Sequence, residues 1–262
     1  MLASSSLHVF DLSYLIDLIF WWGRILVDDA IGSVKPGTIT GVFGPSSGGK
    51  SVLLKLLAGR AESFLSKVEY SGSITMNGNS VSPTSQHAAY LPQDNDHLFG
   101  VLTVREVIVY SLRLKDTQGL TVAQRTVRVN EIITQLRLDD CADSQIGTFY
   151  KSGISGGQKR RTAVACELVY HPKLLCADEP TSGLDTTTAI QCVKYIKEIA
   201  KKSNSGCILS IHQPNQELLS LFDNIILLVD GKTTFFGSLD EAKTHFGGLG
   251  LTTDFGEATP TE

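Results

Sequence analysis

Gly44-Pro45-Ser46-Ser47-Gly48-Gly49-Lys50-Ser51 fits the pattern G-x4-G-K-[ST]. It follows a short apolar run, Ile39 to Phe43, that reads as a strand after a Pro36-Gly37 turn. It precedes Val52 to Leu57, where Leu53, Leu54, Leu56 and Leu57 read as a buried helix. Strand, glycine loop and helix is the setting in which this motif holds phosphate. A polyphosphate needs many N–H donors at close range, and a backbone without Cβ atoms allows the approach. The helix N-terminus adds positive partial charge. Gly44, Ser46, Ser47, Gly48, Gly49 and the first helical residues as far as Val52 would line the phosphates. Lys50 would bring a full cation to the β/γ-phosphates, and the Ser51 hydroxyl suits Mg²⁺, a hard ion that prefers oxygen. The plain alternative is a glycine-rich turn that binds nothing, and the flanking strand and helix argue against it.

Further along, Leu174-Leu175-Cys176-Ala177-Asp178-Glu179 is an apolar run ending in two acids. Alone, such a pair reads as a solvated loop. Beside a phosphate loop it has a use: Asp178 can hold Mg²⁺, directly or through water, and Glu179 can polarise an attacking water.

The rest of the chain bounds the setting. Its 262 residues are ample for a real core, and 42% hydrophobic with 19% charged residues is a globular composition. The net charge of −4 disfavours a nucleic-acid partner. Five cysteines at irregular spacing (Cys141, Cys166, Cys176, Cys192, Cys207) point to a reducing compartment rather than disulfides or zinc. The longest apolar stretch, Leu7 to Trp22, is interrupted by Asp11 and Asp17 and is too short to span a bilayer. Met1 to Ser6 carries no positive side chain, so a secretory signal is not expected.

Strand patterns recur at 70–93, with a turn at Asn77-Gly78, and helical patterns fill 103–138. Thr103 with Glu106 forms a capping-box pattern, and Ser155 opens a helix that Pro172 ends. Strands are expected at 173–178, 207–212, 224–230 and 233–236, with helices at 186–202 and 239–246. The alternation predicts an α/β sheet with a helical insertion. The Gly- and Thr-rich stretch from Gly247 is expected to be loosely ordered.

Five further segments carry a family resemblance. Ile154-Ser155-Gly156-Gly157-Gln158 resembles the signature motif of ABC-type ATPases. Glu179-Pro180-Thr181-Ser182-Gly183-Leu184-Asp185 resembles their Walker B end running into the D-loop, and His212-Gln213-Pro214 their switch histidine. Gln93, in Tyr90-Leu91-Pro92-Gln93-Asp94, is similar to the Q-loop glutamine. Leu102-Thr103-Val104-Arg105-Glu106, Ser155 through Arg161 and Pro180 through Asp185 narrow the likeness to the G subfamily, the white and pleiotropic-drug-resistance exporters, over about Leu12 to Phe246.

The resemblance implies a P-loop NTPase core of ABC type, α/β, with an antiparallel β subdomain and a helical insertion. The core would cover about 1–93 and 172–246, the insertion about 94–171, and 247–262 would be a poorly ordered tail. It implies binding and hydrolysis of ATP with Mg²⁺ by two domains closing head to tail on two nucleotides. Ser155, Gly156, Gly157 and Gln158 would meet the nucleotide held by the partner's phosphate loop. Asp185 would bridge the subunits, or serve as the N-cap of its helix. Gln93 would sense Mg²⁺ and the attacking water, His212 would contact the γ-phosphate and orient Glu179 or the water, and Ser51, Gln93 and Asp178 would hold the metal. Tyr14 is the candidate adenine platform, with Trp21 and Trp22 as competitors. The partner would be a second such domain, homo- or heteromeric. A transmembrane domain, on another chain or in a missing C-terminal region, would place this one at the cytoplasmic face of a membrane, powering export of a lipid-like or xenobiotic compound.

Two other readings stay open: an ABC-type ATPase without a transport role, acting in translation or DNA repair, and a catalytically weak nucleotide-binding scaffold. The second is motivated by departures in the loop. Ser47 replaces a glycine, Gly48 stands where Ser or Ala is common, and Val52 replaces a hydroxyl residue. If position 47 needs a positive φ, serine costs about 1 kcal/mol. Val52 removes a hydrogen bond worth about 0.5–1.5 kcal/mol.

Overall fold

The computed structural model describes residues 12–21, 24–60, 68–82, 88–95, 97–148, 150–212 and 214–250. Among these residues the strands form two sheets. The first pairs β1 (Leu12–Trp21), β2 (Arg24–Val34), β4 (Val68–Met76) and β5 (Asn79–Ser80) in the order β2-β1-β4-β5. Every pairing in it is antiparallel. The second holds β3 (Ile39–Phe43), β6 (Ala89–Leu91), β7 (Leu174–Ala177), β8 (Gly206–Ser210), β9 (Asn224–Val229) and β10 (Lys232–Gly237). Its order is β10-β9-β3-β8-β7-β6, parallel except for the β9–β10 hairpin.

The parallel strands have the composition this order demands. β3, β7 and β8 are buried at every position. Strands covered on both faces need continuous apolar runs rather than alternation. On one face lies α1 (Lys50–Leu57), whose Leu53, Leu54, Leu56 and Leu57 pack with Val42, Cys176 and Ile208. Burying each such leucine stabilises the fold by about 1.5–3 kcal/mol. The other face takes α5 (Thr186–Ser203) through Val193, Ile196 and Ile199. α5 starts on the Asp185 cap and stops at Asn204, whose φ of 52° closes it in a left-handed turn.

The helical insertion comprises α2 (Val104–Lys115), α3 (Val122–Gln135) and α4 (Gly156–Leu168). Each begins with a reciprocal capping box, Thr103 with Glu106, Thr121 with Gln124, and Ser155 with Gln158. α2 is fixed to α4 by the Ser111 hydroxyl donating to the Cys166 carbonyl at 2.7 Å and by the Lys115–Glu167 ion pair at 2.6 Å. A short α6 (Gln216–Leu219) and α7 (Leu239–Gly248) follow, and α7 continues two residues past the expected Phe246. Residues 251–262, most of the expected tail, lie outside the described residues.

The stretch read only as an apolar run before Trp22 contains β1, the central strand between β2 and β4. Tyr14 sits in it opposite Gly32 and Ile74. The side chains of Tyr14 and Trp21, and residues Trp22 and Gln213, fall outside what is described. All five cysteines are buried and free.

Candidate functional site

In an open parallel sheet, ligands gather beyond the carboxyl ends of the strands. Four adjacent strands here end in chemistry. β3 runs into Gly44, β8 into Ile211 and His212, β7 into Asp178 and Glu179, and β6 into Pro92 and Gln93. The neighbourhood follows from strand order: β8 lies between β3 and β7, so the histidine stands between the phosphate loop and the acids.

The loop has the predicted shape. Gly44 adopts φ 147° and Gly49 φ 94°. A Cβ at Gly44 would collide with the Leu228 carbonyl oxygen of β9, and one at Gly48 would lie 3.1 Å from it. The Gly48 carbonyl also accepts from the Gly231 amide of the β9–β10 turn at 3.2 Å. Gly49, the N-cap of α1, offers no side-chain cap, which leaves the first N–H groups of the helix to a ligand. Ser47 has φ 68°, so this position does require the left-handed conformation and serine sits there at a cost. A cavity of about 450 Å³ opens over Ser46 to Val52, with Glu179 on its wall. Val52 both borders this cavity and packs against the core beneath it.

The Lys50 ammonium donates to the Gly44 and Pro45 carbonyls, each at 2.8 Å. Burial pushes its pKa down, and the charges of Glu179 and Asp178 oppose that. Asp178, 5% exposed, accepts from the Ser210 hydroxyl at 2.7 Å and from the Tyr90 phenol at 3.2 Å. Burial, reinforced by Asp178, pushes the Tyr90 phenol well above its usual range, so it remains a donor. The Gln93 amide donates to the Glu179 carboxylate at 2.6 Å. His212 Nε2 and Ser46 Oγ share a hydrogen bond at 2.9 Å, which joins the histidine to the phosphate loop.

The signature segment points outward. Ser155 and Gly156 are exposed, and a Cβ at Gly156 would meet nothing within 4 Å. The Ser155 hydroxyl accepts from the Gln158 amide at 3.2 Å, while the Gln158 side chain accepts from the Ser155 amide at 2.8 Å. The serine O–H is left as a donor toward solvent. Gly157 lies over the start of α5, where a Cβ would meet Thr188 at 3.2 Å. Asp185 caps α5, accepting from the Thr188 amide at 3.0 Å and its hydroxyl at 2.6 Å.

A family profile described as ABC transporter matches residues 27–182, more than half of the chain. The chain belongs to the ABC transporter family. ABC transporter G family member 11 of Arabidopsis thaliana is 39% identical over 228 residues, which cover 86% of this chain and 31% of that protein. The broad substrate specificity ATP-binding cassette transporter ABCG2 of Bos taurus is 38% identical over 221 residues, 84% of this chain and 33% of that protein. ABC transporter G family member 22 of Dictyostelium discoideum is 36% identical over 225 residues, 84% and 36% respectively. The chain thus spans about a third of the length of the curated relatives it matches. It is an ATP-binding domain of the G type.

Four contributors to this ABC domain's site were not singled out from its sequence. Ser210 and Tyr90 hold Asp178, and the Ser210 hydroxyl also accepts from the Glu179 amide at 2.9 Å. Asp230, in the β9–β10 turn, borders the phosphate-loop cavity. Arg160 is buried beneath the acids. Tyr90 and Ser210 stand on or at the end of strands beside the acidic pair, a signal available once strand order is known. Nothing in the run Lys159-Arg160-Arg161 marks the middle residue as buried.

Proposed function

We propose that this domain hydrolyses Mg-ATP and that its closure on a second copy or a similar domain drives an exporter at the cytoplasmic face of a membrane. The observation that carries the reading is the convergence of Lys50, His212, Asp178–Glu179 and Gln93 at one sheet edge from four neighbouring strands. Lys50 leaves its loop carbonyls for the β/γ-phosphates. Glu179, oriented by Gln93, takes the proton of the attacking water, and His212 exchanges its Ser46 bond for the γ-phosphate. Among the described residues, no group of three or more His, Cys, Asp or Glu side chains could hold a metal. The oxygens of Ser51, Gln93 and Asp178 nonetheless suit Mg²⁺, a hard ion that takes its other ligands from phosphate and water. Bound there, Mg²⁺ would offset the negative charge that develops on the phosphate oxygens.

The partner supplies the other half of each site. Ser155 and Gly156 are exposed at a capped helix N-terminus, and both contribute N–H or O–H donors of the kind that bind an anion. No helix among the described residues is long and apolar enough to cross a membrane. The membrane-spanning part would belong to another segment or chain, and a lipid-like or xenobiotic substrate would be chosen there. The test is Glu179→Gln: nucleotide binding should persist while phosphate release falls by at least about a hundredfold. Equal release from variant and wild type would refute the role. A binding-only scaffold is the second reading, favoured by the strained Ser47. Titration with a fluorescent ATP analogue beside a phosphate-release assay separates the two, since a scaffold binds without turnover.

A further inference from the structure

Arg160 is 1% exposed, on the second turn of the helix that Ser155 begins. A guanidinium carries five N–H donors, and here each has an acceptor. Nε donates to the Pro180 carbonyl at 2.9 Å. Nη1 donates to the Pro92 carbonyl at 2.7 Å and to the Asn95 side-chain oxygen at 3.2 Å. Nη2 donates to the Asp178 and Glu179 carbonyls at 3.0 and 3.1 Å. The acceptors fall in two groups. One is three consecutive carbonyls around Glu179. The other is Pro92 and Asn95, which flank Gln93.

Glu179 also has φ 43°, a left-handed backbone at a residue with a long side chain. Such strain persists only where the surroundings over-determine it. Ser210 holds the Glu179 amide from one side and Arg160 holds the carbonyls from the other. The Gln93–Glu179 bond at 2.6 Å joins the two segments that Arg160 anchors.

We propose that Arg160 is a positioning residue of the hydrolytic site, its guanidinium fixing Glu179 and Gln93 relative to each other and tying both to the helix that opens at Ser155. This rests on the ATPase reading above. That helix would face the partner's nucleotide, while Glu179 and Gln93 face the domain's own. Arg160 is therefore the rigid link between the two nucleotide sites on one protomer. Lysine cannot replace it, because a single ammonium with three donors cannot reach three consecutive carbonyls and the Gln93 loop together.

The experiment compares wild type, Arg160→Lys, Arg160→Met, Glu179→Gln and the double variant Arg160→Lys/Glu179→Gln. It reads kcat and KM for Mg-ATP, affinity for a fluorescent ATP analogue, and thermal unfolding. Arg160→Lys should lower kcat at least about tenfold, as misplacement of a reacting group does. Analogue affinity should stay within about threefold, because Lys50 and Ser51 do not depend on Arg160. Arg160→Met should fall further, and the double variant should be no slower than Glu179→Gln alone. Wild-type kcat in folded Arg160→Lys, a matching loss of affinity, multiplying losses in the double variant, or failure of both Arg160 variants to fold would each overturn the proposal. If Glu179→Gln keeps wild-type turnover, the ATPase assignment itself fails. If it loses turnover while Arg160→Lys keeps it, only the Arg160 proposal fails.

Discussion

Replacing Ser210 with alanine removes one oxygen and breaks two bonds. The hydroxyl is fully buried, donates to Asp178 at 2.7 Å and accepts from the Glu179 amide at 2.9 Å. A hydrogen bond to a charged group contributes about 1.5–3 kcal/mol, and an orphaned buried amide costs about 1–3 kcal/mol. Glu179 is half-buried, so water can reach part of its backbone and the lower end applies to the amide. The expected loss is about 3 kcal/mol, a large share of the 5–15 kcal/mol typical of a folded domain. Tyr90→Phe is the internal control. It removes one longer bond to the same carboxylate, at 3.2 Å, and should cost about 1 kcal/mol. Urea unfolding of the three proteins, with m-values compared to confirm one transition, measures both. The reasoning fails if Ser210→Ala loses less than about 0.5 kcal/mol, or if Tyr90→Phe loses more than Ser210→Ala.

Ser47→Gly should unfold within about 1 kcal/mol of wild type, because relief of the φ of 68° is offset by a looser unfolded chain. Ser47→Val, β-branched at positive φ, should lose at least about 1 kcal/mol in the same denaturation, and equal stability of the two variants would contradict the strain. Thr103→Ala removes half of the α2 capping box, in which Thr103 Oγ1 accepts from the Glu106 amide at 3.2 Å. It should cost about 1 kcal/mol by urea titration, with Thr103→Ser near wild type. The Thr188 hydroxyl, then its amide, hold the Asp185 carboxyl below the ordinary carboxylate range. A depressed pKa means that the cap's contribution is present above about pH 4 and lost as pH falls through the folded-state value. The stability advantage of wild type over Asp185→Asn should shrink between neutral pH and pH 3, and a constant difference would refute the assignment.

Local features of the fold were legible wherever one short window holds the whole cause. The glycine loop, the capping box at Thr103, the helix start at Ser155, and the apolar runs of β3 and β7 need no distant partner to be read. β1 was not legible, because its partners lie on β2 and β4 and two aspartates interrupt the apolar run before and within it. At the site, Lys50, Asp178, Glu179 and Gln93 could be picked out by motif, yet their convergence depends on β8 lying between β3 and β7, a matter of topology. Arg160 shows the limit most clearly. Its acceptors are 18 to 68 positions away and almost all backbone carbonyls, which carry no residue signature. The left-handed Glu179 is hidden for the same reason, since glutamate has no local preference for that conformation.

The hairpin behind the phosphate loop has a consequence for affinity. With the Leu228 carbonyl filling the space where a Gly44 side chain would stand, and Gly231 bonded to Gly48, the socket acquires its curvature when the sheet assembles. An arriving anion therefore meets a backbone curve already set, and little of its interaction energy is diverted to shaping that curve. The shape of the loop is in this sense a property of the β9–β10 hairpin, whose Leu228 and Gly231 mould it from behind while Asp230 borders the cavity in front.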